Sequence, residues 1–136
     1  MPTIYRSMLR DGEKPRVGAS AIMLGVRVPA DVRPDHEGMV KIRSGGMSVA
    51  PAWRVLPPHR IPMRLSEQVP DARGKGNLAC FRAGDGPFAN GEFSATLNLR
   101  LDSATHGLVE PRSVLHIDDF QMALAATWPD WVIDEE

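Results

Sequence analysis

Twelve prolines and twelve glycines are spread through this 136-residue chain, and their spacing leaves few windows in which a helix of ordinary length could form. Proline removes a backbone donor and clashes with the preceding turn, while a glycine inside a helix costs about 1 kcal/mol relative to alanine. Prolines at 51, 57, 58 and 62 exclude a regular helix between Pro51 and Leu65. The apolar residues there, Trp53, Val55, Leu56, Ile61, Met63 and Leu65, are therefore expected in extended chain packed over a core. Short strands joined by loops are what remains.

Strands are predicted at 3–8, 78–82, 94–101 and 106–110: the first and third alternate, the third with Ala95, Leu97, Leu99 and Leu101 on one face, while 78–82 is an apolar run and 106–110 a brief candidate before Pro111. Shorter candidates are Met39–Ile42, Ser113–Ile117 and an edge strand at Trp131–Ile133, and the apolar run Ala21–Val28 reads as a strand or the end of a short helix. Residues 70–77 read as a surface loop, and 84–91 as the loop of a long hairpin. One helix stands out, at 118–127, with Asp118 and Asp119 in its first turn and Pro129 as its stop. The expected class is α+β, a mainly antiparallel β core with one or two short helices, in a single domain over 1–136.

Charge is balanced overall at −1 but not along the chain: residues 41–64 hold Lys41, Arg43, Arg54, Arg60 and Arg64 and no acid, whereas the last seven residues carry Asp130, Asp134, Glu135 and Glu136. A basic middle in a near-neutral chain fits a local anionic ligand better than a polyanion, so nucleic acid is not an expected partner. The single cysteine, Cys80, forms no intrachain disulfide and reads as a buried small residue. His36, His59, His106 and His116 form no i,i+4 pair, so no metal site is expected. No apolar run opens the chain as a signal peptide or reaches the length of a membrane span, and the expected location is cytoplasmic.

Three places carry candidate chemistry. Arg43-Ser44-Gly45-Gly46-Met47-Ser48-Val49-Ala50-Pro51 pairs two glycines with a serine; Gly45 and Gly46 could expose backbone N–H groups to a phosphate or ribose hydroxyl, and Ser48 adds a hydroxyl. A plain turn between strands accounts for the same residues. The stretch lacks the closing glycine of the G-x-S-x-G elbow, and Gly74-Lys75-Gly76 lacks P-loop spacing. His106 and Glu110, four apart in a strand, share a face with Leu108 and could form a cleft wall. Arg6 follows Tyr5 in the first strand and could serve either an anion or a surface ion pair.

Taken in order, Thr3-Ile4-Tyr5-Arg6, Gly45-Gly46-Met47-Ser48-Val49, Leu56-Pro57-Pro58 to Ile61-Pro62, and Ala104-Thr105-His106 through Pro111 to the Phe120 helix resemble the ADP-ribosyltransferase-type fold. Within it they are most similar to small NAD-dependent toxins delivered by bacterial type VI secretion. The resemblance implies an NAD-dependent toxin-type enzyme, carrying out ADP-ribosyl transfer or glycosidic cleavage of NAD in the bacterial cytoplasm. It implies that Arg6 meets the pyrophosphate or the adenosine ribose, that Ser48 with Gly45 and Gly46 positions the nicotinamide ribose, and that Trp53 or Tyr5 stacks on the nicotinamide. Glu110, supported by His106, would stabilise the oxocarbenium-like state. The E-x-E pair of many transferases is absent, and Glu110 is the nearest single glutamate. An immunity protein or secretion chaperone is the implied partner. The competing reading is a non-catalytic interaction module of a secretion or toxin system, using its proline-rich centre, its acidic tail and exposed Trp128 and Trp131 as contact surface.

Overall fold

In the computed structural model, which describes residues 1–136, the chain forms ten strands and one α-helix. In order these are β1 (Ile4–Asp11), β2 (Lys14–Pro15), β3 (Met39–Val40), β4 (Met47–Val49), β5 (Leu78–Ala83), β6 (Gly91–Glu92), β7 (Leu97–Ser103), β8 (His106–Pro111), β9 (Leu115–His116), α1 (Ile117–Ala126) and β10 (Val132–Ile133). One antiparallel sheet runs β10-β5-β1-β2 and a second runs β4-β8-β7-β6, with β3 and β9 pairing separately. The class is mixed α+β, mostly antiparallel, as the alternation predicts.

β1 is buried on both faces, which explains its place at the centre. Ile4 and Met8 enter the main core with Phe81, Leu97, Leu99, Val109, Phe120, Leu124 and Trp131, while Tyr5 packs on a second cluster of Trp53, Leu56, Ile61, Leu65 and Cys80. The proline-rich segment builds that second cluster through single 3-10 turns at Trp53–Val55, Pro58–Arg60 and Met63–Leu65, irregular where extended chain was expected. A pair of hydrogen bonds between Tyr5 and Ala50 joins the two sheets edge to edge.

Several expectations are corrected. Ala21–Val28 is neither strand nor helix: Leu24 and Val26 are buried, but the segment is a loop touching Val17 through one bridge at Leu24. Residues 84–91 do not close a hairpin, because β5 and β7 lie in different sheets. Ala95 lies in an exposed turn before β7, so the alternating face starts at Leu97. Of Ser113–Ile117 only Leu115–His116 pairs, and Ile117 already begins the helix, whose N-cap is the His116 ring: Nδ1 accepts from the Asp118 N–H at 3.1 Å. Trp131 is fully buried; its Nε1 donates to Thr127 Oγ1, leaving only Trp128 partly exposed.

Two carboxylates of the acidic tail, Asp134 and Glu135, are used internally, while Asp130 and Glu136 are exposed. Glu135 pairs with Arg64 and accepts from the Cys80 N–H, Asp134 accepts from Tyr5 Oη and Arg82 Nε at 2.9 Å each, and Trp53 Nε1 donates to the Glu136 carbonyl. Burial acts to raise the Asp134 carboxyl, but the Tyr5 hydroxyl, the Arg82 guanidinium and the Glu136 N–H together hold it below the usual range. A carboxyl depressed in the folded state contributes stability above its unfolded value and loses it as pH falls through the folded one. Asp134→Asn is therefore expected to lower stability at pH 7 and to flatten its decline on acidification below about pH 4. Urea unfolding of both proteins from pH 7 to pH 3 checks this; parallel curves would mean that the tail pair contributes nothing.

Candidate functional site

A cleft of about 470 Å³ opens where β1 meets the end of β4. One wall comes from the proline-rich turns, with Val55, Leu56, Pro57, Pro58, His59 and Arg60; the opposite side has Ser48, Val49, Ala50, Thr105 and His106, and the remainder is Arg6, Ser7, Ala21, Arg27 and Asp31. Proline shapes this wall at one point: Pro58 presets φ at the start of the Pro58–Arg60 turn, which presents His59 and Arg60.

Arg6 follows from strand alternation. It shares a face with Ile4 and Met8 and so turns inward, where the loop 20–25 crosses β1. Its guanidinium donates to backbone carbonyls only: Nη1 to Ser48 at 2.8 Å, Nε and Nη2 to Met23 at 3.2 and 3.1 Å, and Nη2 to Ser20 and Gly25 at 3.2 and 3.3 Å. Burial lowers its pKa to about 10, with Asp31 opposing and Arg60 and Arg27 adding to the shift. It remains a cation at neutral pH, 6% exposed and without an ion-pair partner.

Asp31 is the one carboxylate lining the cleft, and it belongs to Arg27, whose Nη2 and Nε donate to it at 3.0 and 3.2 Å. Burial acts to raise Asp31, but these contacts, the Arg27 N–H and the charge of Arg6 hold it low. Arg60 takes part in no ion pair. Three arginines against one aspartate leave the cleft with two uncompensated positive charges. Ser7 Oγ, on the same lining, is the single buried side-chain polar atom without a hydrogen-bond partner.

At the mouth, the tip of the β7–β8 hairpin brings Asp102 to His106: Nδ1 lies 2.7 and 2.8 Å from the two carboxylate oxygens. A carboxylate only accepts, so the proton of that contact sits on Nδ1, and Nε2 is left as the second ring nitrogen of a residue lining the cleft.

The structure thus brings Arg6, Ser48 and His106 to one cleft and leaves the other expected site residues outside it. Glu110 shares the strand face of His106 but is 4% exposed, paired with Arg100 at 3.1 Å and capped by the Arg43 N–H. It is consumed by that pair and is not in contact with His106, whose partner is Asp102. Tyr5 points to Asp134 and the second core. Gly45 and Gly46 form no open nest: the Gly46 N–H donates to the Asp31 carbonyl, and Gly45 bridges Val32. Sequence reasoning missed His59, Arg60, Ser7, Asp31 and Asp102 as site neighbours. The acid-free stretch 41–64 was the available signal for Arg60, and nothing local marked Asp31 or Ser7. No helix is long and apolar enough to cross a membrane, and no cluster of metal-ligating side chains is present. No protein-family model, curated protein or solved structure matches the chain.

Proposed function

We propose that this protein binds a small phosphorylated ligand, of the nucleotide or sugar-phosphate class, in the cleft between the proline-rich turns and β4. The observation that carries the reading is the charge: Arg6, Arg27 and Arg60 face a single carboxylate already taken by Arg27. The Arg60 guanidinium, which pairs with nothing in the protein, suits a phosphoryl group through paired charge-assisted donors, while Arg6, whose donors go to backbone carbonyls, adds positive charge. The apolar flank of Val55, Leu56, Pro57 and Pro58 suits a base or sugar face, and the volume accommodates a molecule of that size.

NAD is the member of this class that the resemblance implies, and an NAD-dependent toxin-type enzyme is the activity that goes with it. Its support is that Arg6, Ser48 and His106 share the cleft. Against the glutamate-assisted chemistry stands Glu110, bound to Arg100 and absent from the lining. The cleft therefore binds its ligand through the phosphates, and NAD is among the ligands to test. Contact through the acidic tail draws little support, since two of its four carboxylates, Asp134 and Glu135, are paired within the chain.

Calorimetric titration with inorganic pyrophosphate, ADP-ribose and NAD tests this. Saturable binding of at least one is expected, weakened about tenfold by Arg60→Ala, equivalent to about 1.4 kcal/mol. The melting temperature should not change, because Arg60 pairs with nothing in the protein. Absence of saturable binding at millimolar ligand would overturn the proposal.

A further inference from the structure

Two histidines line the cleft from separate elements, His59 on the 3-10 turn Pro58–Arg60 and His106 at the start of β8. They are not equivalent. His106 is held through Nδ1 by both oxygens of Asp102 at 2.7 and 2.8 Å, an arrangement that orients the ring and leaves Nε2 as the nitrogen able to take a proton. His59 has no hydrogen-bonded carboxylate and sits beside Arg60 in sequence and on the lining, among the cations that would hold a phosphoryl group.

We propose that the cleft hydrolyses a small phosphodiester, with His106 as general base and His59 as general acid. This rests on the phosphoryl-binding reading above and adds chemistry to it. Nε2 of His106 takes a proton from a water whose oxygen forms the new bond to phosphorus. As the bond from phosphorus to the leaving alkoxide oxygen breaks, the protonated His59 imidazole gives that oxygen a proton. Solvent then returns a proton from His106 to His59, so the sum is one water consumed, one P–O bond broken and one formed. The Arg6 and Arg60 charges stabilise the equatorial oxygens in the transition state. Asp102 is a positioning residue, acting through His106.

The test uses adenosine 2′,3′-cyclic phosphate, with binding followed by calorimetry and ring opening by ³¹P nuclear magnetic resonance. The whole chain is expected to open the ring. His106→Gln and His59→Gln should each lower kcat by at least about 100-fold with KM nearly unchanged. Asp102→Asn should lower kcat by at least about tenfold, also without change in KM, and the Asp102→Asn/His106→Gln double variant should be no slower than His106→Gln alone, because Asp102 acts only through that ring. His36→Gln, at an exposed turn residue outside the lining, should leave turnover unchanged. Binding without turnover overturns the hydrolytic proposal and leaves the phosphoryl-binding reading intact; turnover indifferent to both His59 and His106 overturns the assignment of roles. A probe that neither binds nor turns over overturns the hydrolysis, and pyrophosphate, ADP-ribose and NAD then decide the binding reading separately.

Discussion

Arg6→Met is expected to lower the free energy of unfolding by about 4 kcal/mol, among the largest single-residue effects in this protein. One guanidinium makes five hydrogen bonds to the carbonyls of Ser20, Met23, Gly25 and Ser48, and so ties the loop 20–25 to β1 and β4. Methionine fills much of the volume but donates nothing, leaving those oxygens short of donors beside the core. A buried acceptor without a donor costs about 1 to 3 kcal/mol, and water entering from the neighbouring cleft brings the total below the sum. Arg6→Lys should recover only part, since a single ammonium cannot reach four carbonyls in the geometry of a planar fork. Denaturant unfolding with a common slope checks the value; a loss under about 1 kcal/mol would mean that the loop is held by other contacts. Because stability and ligand binding would fall together at Arg6, Arg60 is the residue that reads binding alone.

Gly45→Ala is expected to cost about 3 kcal/mol or more. Its φ is +115°, and a Cβ built there would meet the Asp31 carbonyl oxygen at 1.9 Å and the Val32 Cα at 3.1 Å. These are backbone atoms, so no side-chain rotation relieves the contact, and the turn must part from the loop that carries Asp31 into the cleft. Gly12 provides the comparison: φ is +65° with nothing within 4 Å of its virtual Cβ. Gly12→Ala should cost only about 1 kcal/mol, the strain of the backbone conformation without the clash. Thermal and urea unfolding of the two variants separate the two terms. Equal losses would show that conformational strain, and not the approach of residues 31–32, accounts for the glycine.

The same glycine pair shows where sequence reading stops. A Gly-Gly turn with positive φ is consistent with a phosphate nest and with close packing of two loops. The choice depends on what lies opposite, and here Asp31 lies opposite, fourteen residues earlier in the chain. Glu110 is a parallel case. Its spacing from His106 put both on one strand face, as found, but the hairpin register sets Arg100 beside it and the loop through Arg43 over it. No local pattern contains that pairing.

Features set by near neighbours along the chain could be read from the residues alone. Proline and glycine spacing excluded long helices, period-2 alternation marked β1 and β7, short apolar stretches marked β5 and β8, and the acidic first turn with Pro129 bounded α1 within a residue at each end. These are consequences of backbone geometry and of burying one face. Which strands share a sheet, which charges are cancelled and which are left over follow from the packing of distant segments. Loop closure brings Arg6, Asp31, Arg60 and His106 together from four separate segments, and the Coulomb and desolvation terms that define the cleft depend on distance in space and not on distance in sequence.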